Sequence, residues 1–197
     1  DRKLVQDEKI LDELRKCDHS VANQMAYISK YAKYPVYENT DVEFYKDASD
    51  GFEAQLLELE KAERFIFIEY HAIEDAVSFG RMKRILAEKV KQGVDVRILY
   101  DDVGSIGFID SVFVKRMEAL GIKCRVFNPL VPVLNMIMNN RDHRKITVID
   151  GKVGFTGGYN LADKYFNLEN PYGHWKDTGV KLTGDAVRSL TVTFLEL

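Results

Sequence analysis

Four prolines, two cysteines and one tryptophan in 197 residues argue against several classes of protein at once. Cys17 and Cys124 stand in no ligand spacing and read as reduced thiols of a reducing compartment rather than as a disulfide framework. No apolar run approaches the ~20 residues of a membrane span, and no signal peptide opens the sequence. Charge of one sign is also missing. Twenty-eight basic and 31 acidic residues leave a net charge of −3, which gives no broad attraction to nucleic acid or anionic lipid. Any such attraction must come from local basic clusters. No segment of the chain repeats another.

What is present has the composition of a globular protein. The length fits one ordinary domain, able to bury on the order of 70% of its unfolded surface. The chain begins at Asp1 without a methionine and stops inside a helical-looking run, residues 185–197, so a fragment of a longer polypeptide is expected. Residues 1–36 read as a helical arm or linker, and residues 37–197 as the folded domain. Within it, a strand at Val42–Tyr45 precedes a helix from Asp50 to about Ala62, with Phe52, Leu56 and Leu59 on its apolar face. Phe65-Ile66-Phe67-Ile68 is a buried-strand run. A helix over Ser78–Gln92 closed by Gly93, a strand over Val94–Tyr100, a helix over Ile109–Leu120 closed by Gly121 and a strand over Ile122–Phe127 follow. The alternation predicts an α/β fold, a mixed β-sheet flanked by helices.

The stretch with most chemistry is Asp142 to Asn160. Its middle is rich in β-branched residues, a strand signal, and Asp150-Gly151 fits a two-residue hairpin turn. That turn would set Ile149 beside Lys152, Lys145 beside Thr156 and His143 beside Gly158. His143 and Lys145 are two apart and project from one face. Asp150 lies seven residues from His143, roughly 23 Å along an extended strand, so it shapes the turn and does not touch the imidazole. Gly157 and Gly158 let a substrate approach the backbone. Asn160 reads as the N-cap of a helix beginning at Leu161, and a helix N-terminus beside an imidazole and an ammonium suits a phosphate.

His143-x-Lys145-x4-Asp150 followed by Gly157-Gly158-x-Asn160 resembles the HKD signature of the phospholipase D superfamily. Asn140 to Lys145, Gly154 to Gly158, Trp175-Lys176-Asp177-Thr178, Phe67 to Tyr70, Tyr100-Asp101-Asp102 and Pro35 to Asn39 narrow the resemblance to the first HKD half of bacterial cardiolipin synthases, over about residues 35–190. The fold class implied is a phospholipase D-like domain. The activity implied is phosphatidyl transfer, two phosphatidylglycerols giving cardiolipin and glycerol through a phosphohistidine. A second HKD histidine protonates the leaving alcohol, so the resemblance implies a second HKD half of the same polypeptide, or a second copy, as partner. It also implies a bacterial cell membrane location, through spans this sequence does not contain. No nucleic acid partner is expected. The residues leave two alternatives: a phosphodiesterase or nuclease completed by homodimerisation, and a non-catalytic lipid-binding module.

The chemistry agrees with the resemblance. A neutral imidazole can attack phosphorus without a metal, and Lys145 can hold the non-bridging oxygens. Asp177 matches the acidic position that orients the histidine in the superfamily; Asn160, Gly157 and Gly158 are candidate phosphate contacts. Glu69 and Tyr70 end a strand, where sites in α/β sheets gather, and either wall the site or, for Glu69, make a buried hydrogen bond. His71 reads as a satisfied or exposed histidine. Asp101-Asp102 suggests a cation, but no third ligand has the spacing, so turn capping is favoured and no metal or cofactor is expected. His174-x-Lys176 has Lys181 where an HKD aspartate would stand and is no second motif. The apolar, proline-containing stretch Pro129–Met138 is a candidate for contact with acyl chains or the membrane surface.

Overall fold

A computed structural model describes residues 4–130 and 140–197 of the chain. In chain order the elements are α1 (Glu8–Cys17), α2 (His19–Ala32), β1 (Thr40–Tyr45), α3 (Ala48–Leu59), β2 (Phe65–Tyr70), α4 (Val77–Lys91), β3 (Asp95–Asp101), the single turn α5 (Asp102–Ser105), α6 (Phe113–Ala119), β4 (Lys123–Phe127), β5 (Lys145–Ile149), β6 (Val153–Gly157), β7 (Gly179–Gly184) and α7 (Val187–Leu195). Residues 131–139, most of the stretch expected to meet acyl chains, lie outside the described residues.

The seven strands form one mixed sheet in the order β1-β7-β6-β5-β2-β3-β4. β2, β3 and β4 run parallel, with helices in their connections, as buried runs such as Phe65–Tyr70 require. β5 turns the sheet antiparallel and pairs with β2 on one side and β6 on the other. The strand C-termini of the parallel half and the start of β5 therefore meet at one end of the sheet.

Alternation divides the strands between two cores. Ile66, Ile68 and Tyr70 join Val96, Ile98 and Tyr100 under α3, α4 and α6, where Phe52, Phe79, Met82 and Leu86 are buried. Phe67, Leu99, Ile146 and Val148 face the other way, beneath Val187 and Phe194 of α7. The Phe67 and Phe194 rings stack at 4.6 Å, and burying a side chain of this size contributes about 1.5–3 kcal/mol. The arm is held as well. Leu11 and Ala22 are buried, the Tyr34 hydroxyl lies 2.8 Å from Thr193 Oγ1, and the Val36 N–H donates to Gln6 Oε1 at 2.8 Å.

Several boundaries differ from those predicted. α3 begins at Ala48, with Asp47 rather than Asp50 before its first turn, and α6 begins four residues later than predicted because α5 and a turn use up the segment after β3. The hairpin register is off by one. Lys152 N–H donates to the Ile149 carbonyl at 3.0 Å, but the ladder pairs Ile149 with Val153, so Lys152 is an extra residue. Asp150 and Gly151 take left-handed φ of 54° and 69°. Thr156 therefore faces Ile146, and Lys145 comes level with Gly157. A one-residue slip in a strand exchanges the neighbours on each face. Here it sets a glycine beside Lys145, where a threonine was expected.

Candidate active site

His143 sits just before β5 and Lys145 opens it. Lys145 is opposite Tyr70 in the antiparallel ladder with β2. Strand alternation sends 143, 145 and 147 toward the α3 side and 142, 144 and 146 toward the α7 side. The His143 side chain is exposed, whereas Lys145 is only 5% exposed. Lys145 Nζ donates to the carbonyl of His143 at 2.6 Å. Burial lowers the Lys145 pKa, against the favourable fields of Asp142 and Asp177. Burial also lowers the His143 pKa, and the neighbouring Lys145 and His71 push it the same way, while Asp142 and Asp101 oppose them. The imidazole is thus biased toward its neutral form, the form with a lone pair to donate.

Asp177 lies against the glycines. A Cβ at Gly158 would come 2.0 Å from Asp177 Oδ1, and one at Gly157 would come 2.6 Å from the Thr178 carbonyl. At Gly157 the obstacle is backbone, so the close approach of Thr178 requires a glycine there, whereas at Gly158 it is the Asp177 carboxylate, which would have to move. Gly158 N–H is bonded to the Thr178 carbonyl at 3.1 Å, and Asp177 Oδ1 accepts from Thr178 N–H at 2.8 Å. Among the described residues no side chain hydrogen-bonds the His143 ring, and Asp177 is placed to support the Lys145 charge rather than to hold the imidazole.

Asn160 is not a helix cap. The following segment is a four-residue 3-10 turn, Asp163–Phe166, entered through Ala162 without a side-chain cap. Asn160 Oδ1 accepts from the Ala72 N–H at 3.1 Å and its amide donates to the Tyr165 hydroxyl at 3.1 Å, tying the glycine loop to the end of β2. One amide hydrogen is left for a ligand. The expected helix N-terminus is absent at this position, and Asp163 instead caps α4, accepting from Val77 and Ser78 N–H at 3.1 and 2.7 Å.

Asp150 has partners beyond its own turn. Its carboxylate accepts from the N–H groups of Glu63, Arg64 and Phe65 at 2.9, 2.8 and 2.9 Å, and its own N–H donates to the Phe65 carbonyl at 3.0 Å. It locks the hairpin tip to the start of β2. Burial would raise its pKa, but the three backbone donors outweigh that and hold it below the usual carboxylate range.

Glu69 and Tyr70 do not wall an open site. Tyr70 is buried, with its hydroxyl in a network with Gln55, whose amide also donates to Thr147 Oγ1 at 2.6 Å. Glu69 is fully buried, on the face of Asp142 and Arg144. Arg144 Nε lies 2.7 Å from Glu69 Oε1 and 2.9 Å from Asp142 Oδ1. Burial, and then the Asp142 carboxylate, push the Glu69 pKa up to about 8, with Arg144 opposing.

Asp101 is buried and structural. It caps α5 through the Gly104 N–H and accepts from the Asp142 N–H at 2.9 Å. Among the described residues no group of histidine, cysteine and carboxylate side chains is arranged to hold a metal ion. A cleft of about 560 Å³ opens beside His143, lined by Phe127, Asn140, Arg141, Asp142, Arg144 and Leu197. The imidazole missed by sequence reasoning is His71. Its ring centroid is 4.7 Å from that of His143. A histidine at a strand C-terminus in an α/β sheet was the available signal.

Residues 56–175 match the family model described as cardiolipin synthase, PLD-like domain. The chain is 41% identical over 191 residues to an uncharacterized protein of Streptococcus mutans, covering 97% of this chain and 41% of that protein. It is 36% identical over 158 residues to a cardiolipin synthase of Oceanobacillus iheyensis, and 39% over 159 residues to cardiolipin synthase 1 of Staphylococcus aureus, covering 80% of this chain in each case and 33% and 32% of those proteins. The chain thus spans about a third to two fifths of the length of these relatives. Two solved structures share the fold. NucT from Helicobacter pylori aligns with TM-score 0.61 and 13% identity over 80% of this chain and 94% of its own. Nuc from Salmonella typhimurium, a phospholipase D family member, aligns with TM-score 0.58 and 17% identity over 80% of this chain and 93% of its own. No described helix is long and apolar enough to cross a membrane.

Proposed function

Because the chain belongs to the family of cardiolipin synthase PLD-like domains, we propose that it contributes one of two active-site halves to a phosphatidyltransferase that makes cardiolipin from phosphatidylglycerol. In this reading residues 37–197 are the phospholipase D-like unit and residues 1–36 its arm. The observation that carries it is the pairing of an exposed imidazole just before β5, biased toward neutrality, with the buried ammonium of the residue that opens β5, level with Gly157.

A ring nitrogen of His143 attacks phosphorus, forming the N–P bond as the bond to the glycerol oxygen breaks. Lys145 is charged, fixed by the His143 carbonyl and shielded from water, so it stabilises the non-bridging oxygens as their charge grows. In this reading the Gly157–Gly158 backbone leaves room for the phosphate, and the remaining Asn160 amide hydrogen is offered to it. The leaving alkoxide takes a proton from a histidine outside this chain's site, supplied by a second half of the polypeptide or a second copy of the chain. The hydroxyl of a second phosphatidylglycerol then attacks phosphorus, loses its proton to that same histidine, and releases His143. Asp150 belongs to the motif as the strut that keeps β5 in register with β2.

The test is to incubate the chain with labelled phosphatidylglycerol in mixed micelles, alone and with the complementary half of an S. aureus-type relative. Cardiolipin and free glycerol should form only with the complement and vanish in His143→Asn. Turnover by the chain alone, rising with the square of its concentration, would replace this reading with a homodimer.

A further inference from the structure

His71 follows β2 directly. Because β2 lies between β3 and β5, its end meets both Asp101 of β3 and the Asp142–His143 segment. Three contacts fix the His71 ring. Nδ1 lies 2.8 Å from the carbonyl oxygen of Asp142. A carbonyl only accepts, so Nδ1 carries the proton. The Cε1–Nε2 edge packs on Gly104, where a Cβ would come within 2.7 Å of both atoms and 2.2 Å of the His71 carbonyl. The ring face meets the His143 imidazole at 4.7 Å between centroids and 59° between planes.

The backbone leading into His143 is gripped from both sides. The Asp142 N–H donates to Asp101 Oδ2 and the Asp142 carbonyl accepts from His71. One residue later the His143 carbonyl accepts from Lys145 Nζ. These side chains anchor a segment that precedes the first ladder pair of β5. An exposed nucleophile whose ring takes no side-chain hydrogen bond among the described residues depends on such anchors for its direction.

We propose that His71 is a positioning residue for His143: its Nδ1–H pins the Asp142–His143 peptide, and its ring is the wall against which the His143 imidazole rests. The inference depends on the reading of His143 as the nucleophile. His71 does not transfer the proton of the leaving group, since one nitrogen is committed to Asp142 and the other faces Gly104.

The experiment uses the chain labelled with 15N in its histidine rings, titrated with vanadate, a phosphate analogue, and read at the four histidines separately. In the unliganded chain the His71 nitrogen shifts should report the Nδ1–H tautomer; the Nε2–H tautomer would overturn the inference without any variant. His71→Phe keeps a ring but loses the donor, and His71→Asn keeps a donor near the Nδ1 position. Loss of one such hydrogen bond corresponds to about tenfold weaker vanadate binding in the Phe variant, with Asn recovering most of it. Equal affinity in all three proteins, or equal weakening in both variants, overturns the pinning role. If the Phe variant melts before it can be titrated, the Asn variant and the tautomer still decide. A wild-type chain whose His143 signal ignores vanadate fails the nucleophile reading instead.

Discussion

Replacing Asp150 separates two views of the motif's last member. The carboxylate holds three backbone N–H groups, two on Oδ1 and one on Oδ2. Asparagine keeps the acceptor facing Arg64 and Phe65 but turns an amide N–H₂ toward the Glu63 N–H, so one bond becomes a donor–donor contact and the others lose their charge assistance. The left-handed φ of 54° costs asparagine little. Removing one bond and the charge on two others gives about 1–2 kcal/mol for Asp150→Asn. Alanine loses all three bonds and meets the left-handed backbone, for about 3–4 kcal/mol. The pH dependence has a definite sign. The folded carboxyl titrates below its unfolded value of about 3.9, so its contribution is complete above that value and is lost as pH falls through the folded pKa. Urea unfolding at pH 7 and at a series of pH values down to about 3 should therefore show the wild type converging on Asp150→Asn at the acid end. The vanadate response of His143 should be unchanged in the folded variant. Unaltered stability with a lost His143 response would refute the reasoning, because it would bring Asp150 to the chemistry.

Glu69→Gln removes a buried carboxyl whose pKa is pushed up to about 8. A raised carboxyl destabilises the folded chain progressively as pH rises from its unfolded value of about 4.3 toward about 8, so the glutamine variant should match the wild type in acid and exceed it in urea midpoint at alkaline pH. Gly158→Ala places a methyl 2.0 Å from Asp177 Oδ1, and should cost about 1–3 kcal/mol in thermal unfolding and weaken vanadate binding as the loop shifts away from Lys145. Neutral His143 is the reactive form, and its pKa lies below the ordinary imidazole value of about 6.5. The acid limb of the turnover profile should therefore fall below that value, and a midpoint above it would contradict the proposed nucleophile.

Local pattern determined much of this protein. The two-residue spacing of His143 and Lys145 places them on one face of an extended chain wherever that chain lies, because side-chain alternation is a property of the backbone alone. Asp150-Gly151 makes a turn for an equally local reason, the left-handed φ that these residues tolerate. Runs such as Phe65–Ile68 marked buried strands, and the order of strands and helices marked the α/β class. The tertiary structure decided what those elements face. The hairpin register turned on one extra residue, Lys152, whose carbonyl is taken by the Gly184 N–H from the neighbouring strand β7. Asp150 found its donors at residues 63–65, and Asn160 found Ala72, because β2 lies beside β5 in the sheet. His71 meets His143 for the same reason, across 72 positions of sequence. Burial of Glu69 and Asp142 under Arg144 likewise exists only once the β2–β5 pair has formed. Strand pairing between distant segments, and the desolvation that comes with it, leaves no periodic mark on either segment alone, so that part of the site became legible only in the folded chain.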